Sequence, residues 1–476
     1  MYETSFVIAF GETGENAIGV HRAMLTRGPD TGLGQRLSAR RPLVGLRPVP
    51  DERAPDELAH PRKQWAFIAG AALLTLPSAL MRFHVFGTVH EAPPLETLLF
   101  GIAILGAAFL VSWAAEVAQL DISKGLAIAF LALIAVLPEY AVDLVFSWKA
   151  GVEDRTGVAM CQGTHCRGLA VANMTGANRL LIGVGWAAVV LLWFYRSKQK
   201  GVTLPGSRRT DLGFLFIATV WAMKIVILNH IDLFDTAVFG AMFVVYIFHA
   251  AREEHEEPEL VGPPLALAAL PTRSRRIVTV LLFLFAATMI LASAEPFASG
   301  LVATGSRFHI SQFFLVQWLA PLASEAPEMI IAILFVLRAK PAQGLGTLVS
   351  SKVNQWTLLV GTVPLVYAIA HRSAGPMQLD AQQVEEILLT AAQSLFAVSV
   401  LANLTLSRAE AGGLLVLFLA QFGFENRTIK YGFAFAYLAL FVALVVKERE
   451  NREGLFHAIR HTFMKPGGSH RRARSG

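Results

Sequence analysis

Charged side chains are scarce in this sequence. Asp, Glu, Lys and Arg make up 16% of the 476 positions, against about a quarter in soluble globular domains. This deficit excludes an ordinary water-soluble domain. Apolar residues make up 54% of the chain, and they occur in long continuous runs rather than in the short alternating strands of an outer-membrane barrel. We therefore expect an all-α polytopic membrane protein.

Cysteine is scarcer still. The two cysteines, Cys161 and Cys166, lie in one loop, which excludes a disulfide framework that holds the whole fold. In the orientation derived below this loop faces outward, where a short disulfide could form. A Cys-His-Cys metal site that uses His165 is the weaker alternative, because it would rest on three candidate ligands in a flexible loop.

Motifs of several other functional classes are missing. The sequence has no nucleotide-binding loop, and its apolar runs contain no nucleophile–base pair and no histidine metal motif. The formal charge of +6 comes from Lys and Arg in loops and tails, not from a nucleic-acid-binding surface. We therefore expect neither an ATP-driven pump nor an enzyme, and no nucleic-acid partner.

Long apolar runs, by contrast, are abundant. A membrane-crossing helix needs roughly 20 such residues. The sequence predicts about twelve spans, at 64–82, 94–116, 124–148, 168–195, 211–230, 233–251, 276–304, 309–338, 343–370, 382–406, 409–424 and 428–447. An even number of spans places both termini on one side of the membrane.

The charge of the loops predicts which side this is. Lys and Arg are concentrated in loops such as 196–209 and 273–276. The loops of the opposite side, such as 83–93 and 230–234, nearly lack them. By the positive-inside rule we expect a multi-pass protein of the inner, or plasma, membrane, in contact with lipid and with both termini in the cytoplasm.

Two Pro-Glu pairs, Pro138-Glu139 and Pro327-Glu328, reveal an internal repeat. Aligned on these pairs, spans two to six match spans seven to eleven. Because each unit has an odd number of spans, the second copy enters the membrane upside down. We expect a core of two inverted five-helix repeats, about twelve transmembrane helices in all, with one extra helix at each end.

The predicted domain organisation follows from the repeat. It consists of a basic, disordered cytoplasmic tail at 1–63, an extra helix and loop at 64–93, the first repeat at 94–251, a cytoplasmic linker at 252–275, the second repeat at 276–424, an extra helix at 425–447 and a basic cytoplasmic tail at 448–476. The first 64 residues lack a long apolar core behind a basic end, so we expect no cleavable signal peptide.

Glu139 and Glu328 are the strongest candidates for a functional site. An ionisable group in mid-membrane costs at least about 2.5 kcal/mol. The preceding prolines remove a helical N–H and free a carbonyl, which creates a hard-oxygen site suited to Ca²⁺, Na⁺ or H⁺. The alternative is a proline kink beside a glutamate that snorkels or pairs with a buried base. Occurrence at matching repeat positions favours the functional site.

The helix after each pair carries a polar cluster, "ANMTGAN" at 172–178 and "GTLVSSKVNQ" at 346–355. We expect Asn173 and Asn178 to line the site, although small and polar residues also serve as helix-packing contacts.

Together these features resemble the calcium/cation antiporter superfamily, the sodium/calcium exchangers and their prokaryotic relatives. In that family each half carries a Thr-Ser-x-Pro-Glu helix followed by a Gly-Asn-x-x-Gly-Ser-Asn helix. The resemblance covers about 94–424. It implies alternating access, with Glu139 and Glu328 as the metal ligands for Ca²⁺ and with flanking oxygens that bind Na⁺ or exchange with H⁺.

The sequence departs from the family pattern around both pairs. Ala135-Val136 replaces the first Thr-Ser, whereas Ser324-Glu325 in the second half adds a carboxylate one turn before Glu328. Asp143 lies one turn after Glu139 and shares its face. The candidate cation ligands therefore also include Ser324, Glu325, Asp143 and Ser351.

Lys352 stands where the family has the last asparagine of the second motif. We expect its ammonium to act as a tethered cation in place of Na⁺, or to carry the coupled proton, because a buried lysine changes its protonation readily. The alternatives are that Lys352 snorkels to an interface or neutralises Glu325. Arg179 is expected to face the same carboxylates.

The leading hypothesis is a secondary antiporter that exchanges Ca²⁺, or a similar cation, for H⁺ or Na⁺. A monovalent Na⁺/H⁺ exchanger and a degenerate, non-transporting scaffold are the alternatives. We expect no cofactor apart from the transported cations. The sequence leaves assembly into a homo-oligomer open.

Overall fold

The computed structural model describes residues 61–82, 92–122, 137–161, 164–252, 260, 262–424 and 426–463, and helices dominate it. The first half contains α1 (Pro61–Arg82), α2 (Pro93–Ala118), α3 (Leu137–Thr156), α4 (Cys166–Leu180), a π-helical segment (Leu181–Trp186), α5 (Ala187–Ser197), β1 (Gly201–Thr203), a 3₁₀ turn (Gly206–Arg208), α6 (Arg209–Leu228), β2 (His230–Ile231) and α7 (Leu233–Ala250).

The second half repeats this order. It contains the short α8 (Pro264–Ala268), α9 (Thr272–Phe308), α10 (Gln312–Leu337), α11 (Pro341–Asn354), a second π-helical segment (Gln355–Leu359), α12 (Val360–His371), β3 (Met377–Gln378), α13 (Ala381–Leu401), β4 (Thr405–Ser407), α14 (Arg408–Phe422), α15 (Arg427–Lys447) and α16 (Arg449–Phe463).

The predicted membrane-spanning architecture is confirmed. Ten of the described helices are long and apolar enough to cross a membrane, counting each π-containing helix as one. Two further helices match the remaining predicted spans. The first is α3, whose predicted start at 124–136 lies outside the described residues, and the second is α14, which has 15 residues.

Two short strand pairs connect the halves. β1 pairs antiparallel with β4, and β2 pairs antiparallel with β3. β1 and β3 follow the matching π-containing helices of the two halves, and β2 and β4 follow α6 and α13 in the same way. Each strand pair is thus the counterpart of the other under the exchange of the halves, as an inverted repeat requires.

The π-helical segments also obey the repeat. Each begins three residues after the position that corresponds to the last asparagine of the family motif: Leu181 follows Asn178 in the first half, and Gln355 follows Lys352 in the second. Such segments widen a helix locally and are frequent at functional sites. Trp186 and Trp356, which both lie in these segments, are among the largest fully buried side chains of the core.

A helix that the sequence analysis missed lies within the segment interpreted as the basic C-terminal tail. α16 packs against α6 and α13, and Asn451 Nδ2 donates a hydrogen bond of 2.9 Å to the Ser399 carbonyl oxygen. Its buried positions include Asn451, Leu455, Ala458 and Thr462. This spacing is that of an amphipathic helix and could have predicted it.

The two cysteines are bonded to each other at the start of α4. The Cys-His-Cys metal site is therefore wrong, because neither sulfur is a free thiolate. The imidazole of His165 instead lies 2.8 Å from Glu153 Oε1.

Candidate cation site

Three buried glutamates meet between the halves. Glu139 lies in the first turn of α3, and Glu325 and Glu328 lie one turn apart in α10. One carboxylate oxygen from each lies within 4.8 Å of the others. Ca²⁺ binds oxygen at about 2.3–2.6 Å, so two of its ligands can stand at most about 5 Å apart. The spacing therefore fits three ligands around one ion.

The polar helix of the second half supplies donors to two of these carboxylates. Ser351 Oγ donates to Glu328 Oε2 at 2.6 Å, and Gln355 Nε2 donates to Glu325 Oε1. No hydrogen-bond donor among the described residues reaches Glu325 Oε2 or either oxygen of Glu139. Buried acceptors are ordinarily satisfied, so these three oxygens are the ones available to a cation.

The first half repeats this arrangement one turn further along. Asn173 Nδ2 in α4 donates to Asp143 Oδ1 in α3 at 2.8 Å, and both side chains are buried. Asp143 lies outside the three-glutamate cluster. Its second oxygen and the Asn173 amide oxygen have no donor in the part of the chain that the structure describes, so they form a smaller oxygen group beside the cluster.

Lys352 joins the two halves. Its Nζ donates to the Asn178 carbonyl oxygen at 3.0 Å and to Asn178 Oδ1 at 2.6 Å, and it lies 4.8 Å from the centre of the Trp356 ring. The side chain is completely buried. The alternative in which Lys352 snorkels to an interface is therefore wrong. No ion pair within 4.0 Å joins Lys352 to Glu325, although the structure describes both residues, so the structure shows no direct contact between these two charges.

Ser324 contributes less than expected. Its hydroxyl donates to the carbonyl oxygens of Ala320 and Pro321, each at 3.3 Å, in its own helix. The structure therefore does not bring this hydroxyl to the glutamates through a hydrogen bond.

Close helix packing positions the polar side chains. A Cβ built on Gly176 in α4 would lie 1.8 Å from the carbonyl oxygen of Gln317 in α10. Only glycine allows the two backbones to approach so closely. α4, which carries Asn173 and Asn178, is thereby held directly against the helix that carries Glu325 and Glu328.

Comparison with known proteins agrees with this arrangement. The family model described as sodium/calcium exchanger protein matches residues 95–251 and 278–446. The chain belongs to this family. The resemblance to the calcium/cation antiporter superfamily is thereby confirmed.

Solved structures of exchangers have the same fold. The crystal structure of an H⁺/Ca²⁺ exchanger, CAX, is 41% identical in sequence, covers 85% of this chain and 98% of its own, and superposes with a TM-score of 0.78. The selenium-substituted Ca²⁺/H⁺ antiporter YfkE is 17% identical, covers 80% of this chain and 100% of its own, and has a TM-score of 0.52. No curated protein sequence gives a significant match.

One buried ionic group of this exchanger was not predicted from the sequence. Arg179 does not face the candidate site but forms an ion pair of 2.6 Å with Glu386 in α13, and its guanidinium lies 4.9 Å from the centre of the Trp318 ring. Lys430 in α15 bonds to the same carboxylate. The expectation that Arg179 opposes the site carboxylates is therefore wrong.

The adjacent Glu385 extends this ionic group towards the surface. Its oxygens lie 3.9 Å from Lys430 Nζ and 3.4 Å from Arg427 Nε, and the Arg427 side chain is 54% exposed. The sequence did contain a signal for this ionic group, because one predicted span holds two adjacent glutamates and another holds a lysine. Charges within a membrane need partners, so these residues could have been predicted to pair.

Proposed function

We propose that this exchanger is a secondary active antiporter that moves Ca²⁺, or a similar divalent cation, in exchange for H⁺ by alternating access. The observation that carries the proposal is the buried cluster of Glu139, Glu325 and Glu328, whose oxygens stand within reach of one ion. Three buried carboxylates are costly without compensation. A divalent cation with oxygen ligands compensates them better than a soft metal would.

The same cluster supports coupling to protons. When the divalent cation leaves, three neighbouring carboxylates in a buried site cannot all stay ionised, because like charges at this distance repel strongly. Protons neutralise them without any further ligand. The relative that is 41% identical is described as an H⁺/Ca²⁺ exchanger, which agrees with this inference.

Lys352 provides an argument against coupling to Na⁺. The Asn178 side-chain oxygen, which the family resemblance assigns to cation binding, accepts a hydrogen bond from the Lys352 ammonium at 2.6 Å. A fixed positive charge at this position competes with Na⁺ for the same oxygen. Asn178 thus acts through Lys352, while Asn173, Asp143 and Ser351 shape the surroundings of the three glutamates.

We place the exchanger in the plasma membrane with both termini in the cytoplasm, from the distribution of Lys and Arg in its loops. The proposed transport requires no cofactor beyond the transported ions and involves no catalysed chemical reaction. The domain limits given above, with repeats at 94–251 and 276–424, belong to the same proposal.

Calcium binding tests the glutamates. Glu139→Gln and Glu328→Gln should each weaken Ca²⁺ binding in isothermal titration at least about tenfold, or ~1.4 kcal/mol, because each removes one of the three formal charges. The matched control is Glu450→Gln, on the exposed face of α16, which should bind as the wild type does. Unchanged binding in both site variants would refute the site.

Flux in proteoliposomes tests the coupling. We expect a pH gradient to drive Ca²⁺ uptake without Na⁺, and Lys352→Asn to reduce this uptake and make it responsive to Na⁺. Strict dependence on Na⁺ in the wild type, unchanged in Lys352→Asn, would contradict proton coupling. Na⁺/H⁺ exchange without Ca²⁺ binding would indicate the monovalent exchanger, and absence of both flux and binding would indicate a scaffold.

A further inference from the structure

A cavity of about 450 Å³ that is open to the surface lies between the start of α6 and the C-terminal helix α16, and the described residues that line it are Arg209, His457, Arg460 and His461. All four lining side chains are basic or become so on protonation. None of them belongs to the cation site, whose ligands are carboxylates on α3 and α10. A cavity with this lining is suited to an anion.

The carboxylates near the cavity already accept hydrogen bonds from residues that do not line it. Glu453 lies one turn before His457, but its carboxylate accepts a hydrogen bond of 2.7 Å from Arg449. Asp211 in α6 is buried and accepts from Tyr246 at 3.0 Å. Arg460, by contrast, makes no hydrogen bond or ion pair with any residue that the structure describes. Its guanidinium is therefore available to a ligand.

The cavity walls are held in place. Arg209 donates to the Gly454 carbonyl oxygen at 3.4 Å, and the imidazole of His461 lies 3.2 Å from the Thr210 hydroxyl. A Cβ on Gly213 would lie 2.0 Å from Thr462 Oγ1, so α6 and α16 are in direct contact. The two arginines thus project from packed helices, which lowers the entropic cost of ordering them around a ligand.

The surroundings identify the source of the anion. Phe456 and Phe463 lie on α16 seven residues apart, on one side of the helix, and are 64% and 76% exposed. α16 begins directly after α15, an apolar helix long enough to cross the membrane. Exposed aromatic rings next to a span are typical of the membrane–water interface, where the phosphate groups of lipids lie.

We propose that this basic cavity binds the phosphate of an anionic phospholipid headgroup, with Arg460 and Arg209 as the principal contacts and Phe456 and Phe463 inserted beside the acyl chains. The cavity lies on the face that the loop charges assign to the cytoplasm, whose leaflet holds the anionic lipids. α16 also packs against the ends of α6 and α13. A lipid bound at Arg209 and Arg460 would therefore contact both α16 and the start of α6, next to the strand pairs that join the two halves.

The test is lipid retention by the purified full chain in detergent, measured by native mass spectrometry in titrations with phosphatidylglycerol, phosphatidylcholine and inorganic phosphate. We expect preference for phosphatidylglycerol over phosphatidylcholine. Arg460→Gln should weaken it about fivefold, since one basic residue near a lipid surface contributes ~1 kcal/mol. Arg452→Gln is the matched control, an exposed arginine of the same helix outside the cavity, and should behave as the wild type.

Equal retention of phosphatidylglycerol by Arg460→Gln and the wild type would overturn the proposal. Binding of inorganic phosphate that phosphatidylglycerol does not displace would also overturn it and would identify a site for a soluble anion. His457→Gln provides a second variant, which should weaken retention in the same direction. The melting temperature of each variant confirms that α16 remains folded.

Discussion

Substituting Gly176 by alanine tests whether close helix packing builds the proposed cation site. The new Cβ would lie 1.8 Å from the Gln317 carbonyl oxygen, whereas real Cβ contacts essentially never fall under 3.0 Å. The obstacle is backbone and cannot rotate away. α4 and α10 must therefore separate by more than an ångström, and this separation moves Asn178 and its bonded Lys352 away from the glutamates of α10.

Two effects should follow from Gly176→Ala. Overpacking of this kind costs about 1–3 kcal/mol, so the melting temperature of the purified protein should fall by several degrees. Ca²⁺ uptake into proteoliposomes should also fall, because a displacement of this size in a binding site commonly costs about 100-fold in rate.

Gly412→Ala is the matched control. A Cβ on Gly412, within α14, would meet nothing within 4 Å. Alanine is the better helix former by about 1 kcal/mol, so this variant should be as stable as the wild type or more stable. If Gly176→Ala matched Gly412→Ala in both melting temperature and Ca²⁺ uptake, the packing argument would be refuted.

Three further predictions concern the rest of the fold. Glu386→Gln leaves the buried Arg179 guanidinium without its carboxylate and leaves Lys430 only the more distant Glu385, so it should destabilise the protein by about 3–5 kcal/mol; a wild-type melting temperature would contradict this. Hydrogen bonds from Arg275 hold the pKa of Asp121 down to about 2, so its stabilising effect is complete above its unfolded pKa of about 4 and is lost as the pH falls through 2. Asp121→Asn should remove that part of the acid sensitivity of the melting temperature, and identical pH curves would exclude it. The hydroxyls of Thr203 and Thr405 lie 3.0 Å apart across β1 and β4. Cysteines at these two positions should form a cross-link, and the cross-linked protein should still take up Ca²⁺. Loss of Ca²⁺ uptake on cross-linking would mean that the strands separate during transport.

The sequence sufficed for the architecture because membrane insertion depends on local composition. Runs of about 20 apolar residues and the charge of the loops follow from the solvation of each segment by itself. Glu139 and Glu328 could be identified for the same reason, since a carboxylate in an apolar run is costly wherever it packs. Glu325 could be added because helix periodicity places it one turn from Glu328.

Side-chain partners, in contrast, depend on which helices meet. The sequence placed Lys352 and Arg179 in helices next to the site, but it could not tell that Lys352 donates to Asn178 or that Arg179 turns to Glu386. The partners of these two side chains are determined by how α4 and α11 are rotated about their axes. That rotation depends on helix contacts such as the one between Gly176 and Gln317. A periodicity of 3.6 residues assigns faces to a helix but does not name the neighbour of each face.

The two strand pairs also constrain how the molecule can move. β1 and β2 flank α6, and β3 and β4 flank α13, so the pairs fasten each end of α6 to the opposite end of α13. α6 belongs to the first half and α13 to the second, and the strand pairs join these two helices to each other at both of their ends. In the alternating access proposed above, the neighbouring helices would then slide past α6 and α13, rather than one complete half rotating against the other.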